Sequence, residues 1–279
     1  MKMRIADLLV DCRIPGTPRQ FLPFACRDEG EADLTLDCNP EEDPPEKGQK
    51  VDDFTNDAGH IVLYRRIPVG WVVELSIDGG PVHTLWSDRV FARSYARLEQ
   101  SDPQLPAVIC SLVRLCFSQR LISLGGMMIH ASAVVLDDRC YLALGKSGTG
   151  KSTHTRLWMK AFPQAWLLND DNPVIRLRNG VPVVYGTPWS GSTDCYKAKS
   201  APLQGIVRLE QWPSNEWEDL HGVKAWTSIF PSCSLINRDE LLYLYLIKTL
   251  NTVATTVKVG YLKCLPDEEA ARMSRENLG

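Results

Sequence analysis

Over the first hundred residues the apolar positions fall in short β-branched and aromatic runs separated by turn formers. DLTLDC (33–38), HIVLYRRI (60–67), GWVVELSIDGG (70–80) and VHTLWS (82–87) each predict a strand. The opening MKMRIADLLVDCRIPG also reads as a first strand. Asp7 and Asp11 interrupt its apolar patch and no small-residue cleavage site follows, so it is a poor export signal. The polar, Pro-rich segment 37–50 predicts a surface loop inside this unit, and Gly79-Gly80 a tight hairpin turn.

After residue 101 the pattern changes. AVICSLVRLCFSQRLI (107–122) is apolar, about 16 residues long and interrupted by Arg114 and Arg120. That is short for a bilayer span and predicts a buried or half-buried helix. MMIHASAVVL (127–136) and CYLALG (140–145), joined at Asp137-Asp138-Arg139, predict an antiparallel hairpin. A Gly-rich loop, a helix through about residue 162 and a short strand at 166–168 follow. VIRLRNGVPVVYG predicts a second hairpin with Asn179-Gly180 at its tip, and GIVRLEQ (205–211) another strand. Asn237, with Glu240 at capping-box spacing, predicts a helix running to about residue 252. VKVGYLKCL is a late strand, and 266 to about 275 a closing helix with acidic residues in its first turn. These elements predict a β-rich N-terminal domain over 1–100 and an α/β domain built on a mixed sheet over 101–279.

Composition narrows the class. The 279 residues leave room for two domains or one large one, and 44% hydrophobic with 23% charged residues is ordinary for a soluble globular protein. Disorder, collagen and a coiled coil are excluded on the same ground. With 31 Lys+Arg against 34 Asp+Glu, a broadly basic nucleic-acid surface is not expected. The nine cysteines form no CxxC pair and no zinc-like cluster with histidine. They predict free thiols in a cytoplasmic protein with no membrane partner; a homo-oligomer is compatible with the sequence.

One segment carries chemistry outright. Gly145, Lys146, Ser147, Gly148, Thr149, Gly150, Lys151 and Ser152 spell G-x-x-x-x-G-K-S, between a strand (YLALG) and a helical run opening with Thr153. Glycines let backbone N–H groups turn toward phosphate oxygens, and the helix start adds its positive dipole end. Lys151 supplies a full charge for the β- and γ-phosphates, and the Ser152 hydroxyl a ligand for Mg²⁺. Asp170-Asp171, directly after apolar WLL, suits the acidic position across from such a loop. One carboxylate can hold the metal while the other takes a proton from an attacking hydroxyl. The same run, Asn169 to Pro173, is also a set of turn formers. His130, on the strand before the loop, falls near the γ-phosphate or the metal if the hairpin forms.

The run HASAVVLDDRCYLALGKSGTGKST followed by LLNDD resembles the HPr kinase/phosphorylase family and its wider group with the phosphoenolpyruvate carboxykinases. His130, the loop 145–152 and the acidic pair match in order and at compatible spacing, over roughly residues 125–190. The resemblance implies a P-loop kinase that uses ATP and Mg²⁺ to phosphorylate a hydroxyl, on a protein or peptide serine or on a small molecule. Residue by residue it implies phosphate binding by Lys151, Mg²⁺ binding by Ser152 and Asp171, Asp170 as base, and His130 near the reacting phosphate. Thr187 and Trp189, in a TPW segment similar to those of HPr-kinase-like proteins, become substrate candidates. Lys197 and Lys199 are candidates for phosphate or simply solvated charges, and Arg208 and Glu210, in a strand, carry the same two readings. Thr153-His154 after the loop is closer to the carboxykinase form. A non-catalytic ATP-binding module and a carboxykinase remain alternatives.

Overall fold

The computed structural model describes residues 1–66, 70–191, 193–236 and 239–279. It is a mixed α/β structure with two mixed sheets, and the chain divides into two compact units. The first unit is Met1–Leu124 with Leu235–Tyr243, the second Gly125–Ser234 with Leu244–Gly279.

In the first unit, β1 (Lys2–Ile5), β2 (Leu8–Arg13), β3 (Leu34–Asp37), β4 (Gln49–Asn56), β5 (Gly59–Arg66), β6 (Gly70–Ser76), β7 (His83–Asp88) and β8 (Arg93–Arg97) form one sheet. Their order is β1-β2-β3-β8-β7-β6-β5-β4. The opening segment is two strands, not one, because Ala6 and Asp7 adopt φ of 49° and 63° and turn the chain back on itself. The later turn sits one residue earlier than Gly79-Gly80: Asp78 and Gly79 take the positive φ, and Gly80 N–H donates to Ile77 O at 2.8 Å. β4 replaces the last part of the expected polar loop. It is mostly exposed and held through the β5 ladder, so it carries no hydrophobic alternation.

The expected boundary near residue 100 moves to 124/125. α1 (Leu105–Ser123) accounts for the shift: it belongs to the first unit, where Arg120 Nε donates to Asp33 O at 2.7 Å. Gln119 Oε1 accepts from Ile236 N at 3.0 Å, tying 235–243 to the same unit. α1 is three residues longer than expected and, with a mean hydropathy of 1.5 in its best window, long and apolar enough to cross a bilayer. In this protein 56% of that window is buried.

The second unit contains β9 (Gly126–Met128), β10 (Ala131–Leu136), β11 (Arg139–Leu144), α2 (Lys151–Ala161), β12 (Trp166–Asp171), β13 (Val174–Arg178), β14 (Val181–Tyr185), β15 (Ser200–Gln211), β16 (Glu216–Leu220), α3 (Val223–Ile229), β17 (Lys258–Cys264) and α5 (Glu268–Leu278). α4 (Glu240–Thr256) enters it from Leu244 onward. The strands run β12-β10-β11-β15-β14-β13-β9, with β17 on β15 and β16 on β17. β11, β15 and β17 are parallel neighbours, while β10 is antiparallel to both β11 and β12. Both predicted hairpins form, with positive φ at Asp137 and Asp138 and at Asn179 and Gly180. The expected strand 127–136 breaks at 129–130, because Ile129 N–H donates to Pro173 O and His130 N–H to Ser232 O. Asn237 lies outside the described residues. Among those described, Asp239 Oδ1 accepts from Leu241 N and Leu242 N and so caps α4.

One face of this sheet packs on α2 and α5. Val134 and Leu136 on β10, Tyr141 and Ala143 on β11, and Val207 and Leu209 on β15 meet Trp158, Ala270 and Ala271. Each strand contributes alternate residues, as the pleat requires. Ser132 shares the parity of Val134 and Leu136, which turns its hydroxyl toward α2. Trp158 is 1% exposed, and its Nε1 donates to His154 Nε2 at 3.2 Å and to Ser274 Oγ at 3.0 Å. His154 Nε2 is therefore an acceptor and the ring is neutral. Burial pushes its pKa from 6.5 down to about 4. Below pH 6.5 the unfolded chain binds a proton that the folded ring refuses, so this contribution to stability is complete above pH 6.5 and is lost as pH falls toward 4. His154→Gln is expected to flatten the pH dependence of the melting temperature across that window. Trp158→Ala is expected to cost about 3–5 kcal/mol in denaturant titrations.

Candidate phosphate-binding and phosphoryl-transfer site

β11, a buried central strand, delivers the chain at its C-terminal end to the loop 145–152. Gly145 is needed for space, since a Cβ there would sit 3.0 Å from Thr149 Cβ. Gly148 and Gly150 take φ of 78° and 103°, which expose successive N–H groups on one side. Gly150 is also the N-cap of α2. No side chain caps that end and no acid occupies its first turn, so the N–H groups and dipole at Lys151, Ser152 and Thr153 stay available to an anion. Gln211 Nε2 donates to Gly148 O at 3.2 Å and steadies the loop from β15. Gly150→Ala is expected to destabilise the loop, because a side chain at this φ costs about 1–2 kcal/mol. Denaturant titration checks it.

Lys151 Nζ folds back on its own loop, donating to Gly145 O at 3.1 Å and Lys146 O at 3.3 Å. Burial holds its pKa below the ordinary lysine value, against the opposing pull of Asp171 and then Asp170. The two aspartates lie inside β12, beyond the expected strand end. Asp171 pairs with Ala131 and Asp170 with Ser132 in the ladder to β10. Asp170 is 4% exposed; its Oδ1 accepts from Ser132 Oγ at 2.7 Å, and its Oδ2 is buried with no hydrogen-bond partner. Ser132 Oγ also lies 2.8 Å from Thr155 Oγ1 on α2, so one hydroxyl bridges the acidic strand and the loop's helix. Asp171 is more open. His130 Nδ1 lies 3.0 Å from its Oδ1, and Asn172 donates to its Oδ2.

The adjacent Asn169 is fully buried and is an anchor. Its Oδ1 accepts from Asp171 N and Asn172 N, and its Nδ2 donates to Thr187 O and Trp189 O. The run forms an Asx turn, and the turn fixes the backbone at Asp171 and Asn172. Thr187 and Trp189, expected as substrate residues, are 0% and 6% exposed. Thr187 Oγ1 donates to Asn172 O at 2.8 Å, so the TPW segment braces β12 from behind. Lys197 and Lys199 are likewise turned to other work. Lys197 Nζ donates to Leu167 O at 2.5 Å, and both ammonium groups lie over the Trp166 ring.

No protein-family model matches the chain, and no curated protein does. Among solved structures the chain bears a distant likeness to the HPr(Ser) kinase/phosphatase from Coxiella burnetii. The two are 13% identical over 53% of this chain and 96% of that chain, with a TM-score of 0.30.

A cavity of about 550 Å³ opens beside the loop, with His130, Gly145 and Lys146 on one side and Arg208, Lys224 and Tyr261 among its other walls. Leu144, Ala131 and Asp171 form one row across β11, β10 and β12, and Arg208 and Tyr261 continue it across β15 and β17. The loop, the acids and the arginine thus meet at the same level of the sheet. Glu210 accepts from the Tyr261 hydroxyl. Ser132, Thr155 and Asn169 are the contributors that motif reading missed. Ser132 left one signal: it is a hydroxyl in an otherwise apolar alternate set on a strand with no exposed position.

Among the described residues no three His, Cys, Asp or Glu side chains are grouped to hold a metal. Mg²⁺ in phosphoryl transfer needs only one or two carboxylates besides substrate phosphates and water. Ser152 in the first turn of α2 and the more open carboxylate of Asp171 fit that requirement.

Proposed function

We propose that the protein is an ATP-dependent kinase that transfers the γ-phosphate to a hydroxyl acceptor. The observation that carries this reading is the combination of a P-loop with free N–H groups and a buried carboxylate oxygen, Asp170 Oδ2, that lacks a donor. A buried acceptor atom without a partner is costly, and an incoming O–H supplies what it lacks. In this mechanism the loop N–H groups and Lys151 hold the triphosphate, and Asp170 accepts the proton of the acceptor hydroxyl. The oxygen then forms a bond to the γ-phosphorus as the bond to the β–γ bridging oxygen breaks, and ADP leaves with that electron pair. Ser152 and Asp171 would hold Mg²⁺, which would supply charge neutralisation on the phosphate oxygens. His130 orients Asp171, and Ser132 holds Asp170 against α2.

The test is incubation with γ-labelled ATP, Mg²⁺ and fractionated small-molecule and protein pools, beside Lys151→Met and Asp170→Asn. Label moving to an acceptor with wild type alone supports the reading. ATP bound with no transfer to any pool supports a binding module instead.

A further inference from the structure

We propose that the cavity beside the P-loop is the acceptor subsite and takes a small molecule that carries an anionic group, held by Arg208, next to the hydroxyl to be phosphorylated. The inference rests on the phosphotransfer reading above and adds the class of acceptor.

Arg208 carries the argument. It is half-buried on β15 and lines the cavity, yet no carboxylate lies within ion-pair distance of it among the described residues. Neutral oxygens fix it instead. Nε donates to Ser228 O at 2.7 Å, Nη2 donates to the same oxygen and to Ser232 Oγ at 3.0 Å, and Nη1 has no partner among the described residues. A guanidinium removed from water and held rigid without a counter-charge is costly until an anion arrives, and its planar fork suits a carboxylate or phosphate. Burial pushes its pKa down, in keeping with that missing counter-charge.

The rest of the wall agrees. Lys224 is neutralised by Glu218 at 2.6 Å, and His130 is occupied by Asp171. Lys146 and Arg208 remain as two cations that face one space with no ion-pair partner among the described residues. The nucleotide's phosphates already have the loop, Lys151 and the start of α2, so this second positive pole answers to another anion. At about 550 Å³ the cavity has the size of a small-molecule site. His130, Gly145 and Lys146 on its wall set the cavity beside the loop.

The full chain is assayed with γ-labelled ATP and matched acceptors, glycerate against glycerol and glycolate against 1,2-ethanediol. Wild type, Arg208→Gln and Arg208→Lys are compared, and ATP and acceptor affinities are measured by calorimetry on each. Acids are expected to be preferred, and Arg208→Gln to raise their KM roughly 30-fold, the usual weight of a charged hydrogen bond. ATP affinity should stay within about twofold and Arg208→Lys should recover part of the loss. Because Arg208 also ties down Ser228, melting curves accompany each variant; if Arg208→Gln does not fold, the Lys variant carries the comparison. Equal use of acids and alcohols, no acid binding by ATP-loaded protein, or a loss in ATP affinity with acid KM unchanged overturns the proposal. Failure of wild type to bind ATP overturns the phosphotransfer reading itself, and the acceptor assignment with it.

Discussion

Lys151→Met is expected to lower phosphoryl transfer roughly 1,000-fold while leaving the melting temperature nearly unchanged. The two effects separate because of what Lys151 touches. Its ammonium is half-buried and donates only to Gly145 O and Lys146 O, two carbonyls of a loop close to water. Methionine keeps the stem and gives up weak contacts that solvent can replace. In the nucleotide complex the same ammonium would face two phosphates in a site of reduced dielectric, where a lost charge is expensive. Burial also sets a pH limit. Because Lys151 titrates below the ordinary lysine range, ATP affinity is expected to decline on the alkaline side earlier than a solvated lysine would allow. Labelled transfer, ATP titrations at several pH values and melting curves on the two proteins check all three statements. Loss of activity that tracks loss of fold would sink them.

Asp170→Asn is expected to cut kcat by roughly 1,000-fold with ATP affinity retained, within the range for removing a general base. The amide keeps the size of the carboxylate and an oxygen to accept from Ser132, so the bridge to Thr155 survives. It puts an N–H donor or a neutral oxygen where the acceptor's proton must go. Asp171→Asn should behave differently. That residue is the more open of the two and is held by His130 and Asn172, so its loss is expected to raise the Mg²⁺ concentration needed for half-maximal rate. Rate measurements over a Mg²⁺ series on the two variants distinguish the roles: a Mg²⁺-rescued Asp170→Asn would exchange them. Ser132→Ala should fall between, since it frees Asp170 without removing its charge.

How much of this was legible in the sequence depends on whether the signal was local. The strand and helix that flank the glycine-rich loop, and the two I′-type hairpin tips at 137–138 and 179–180, rest on residues adjacent in the chain, and these elements form as expected. β4 leaves no signal because an edge strand with both faces largely in water has no period to read. The change from strands to a helix near residue 100 reads as a domain boundary. In the fold, α1 buries its apolar stripe within the first unit, and the division falls at 124/125. A short motif makes Thr187 and Trp189 substrate candidates, whereas the fold sets them behind β12, satisfying Asn169. The Ser132 bridge joins three elements separated by dozens of residues, and no local pattern encodes such a meeting.

The shared row from Asp171 through Ala131 and Leu144 to Arg208 and Tyr261 bears on how a protein of this design can tolerate change. Strand pairing advances in whole residues, and a slip by one would turn every inward side chain outward. The spacing between the phosphate loop and its carboxylates is therefore graded, like notches on a ruler, and cannot drift by fractions. The turns at 137–138 and 179–180 lie outside that measure. Length can be added at those tips, by insertion or by fusion to another chain, while the distances between the reacting groups stay as the ladder sets them.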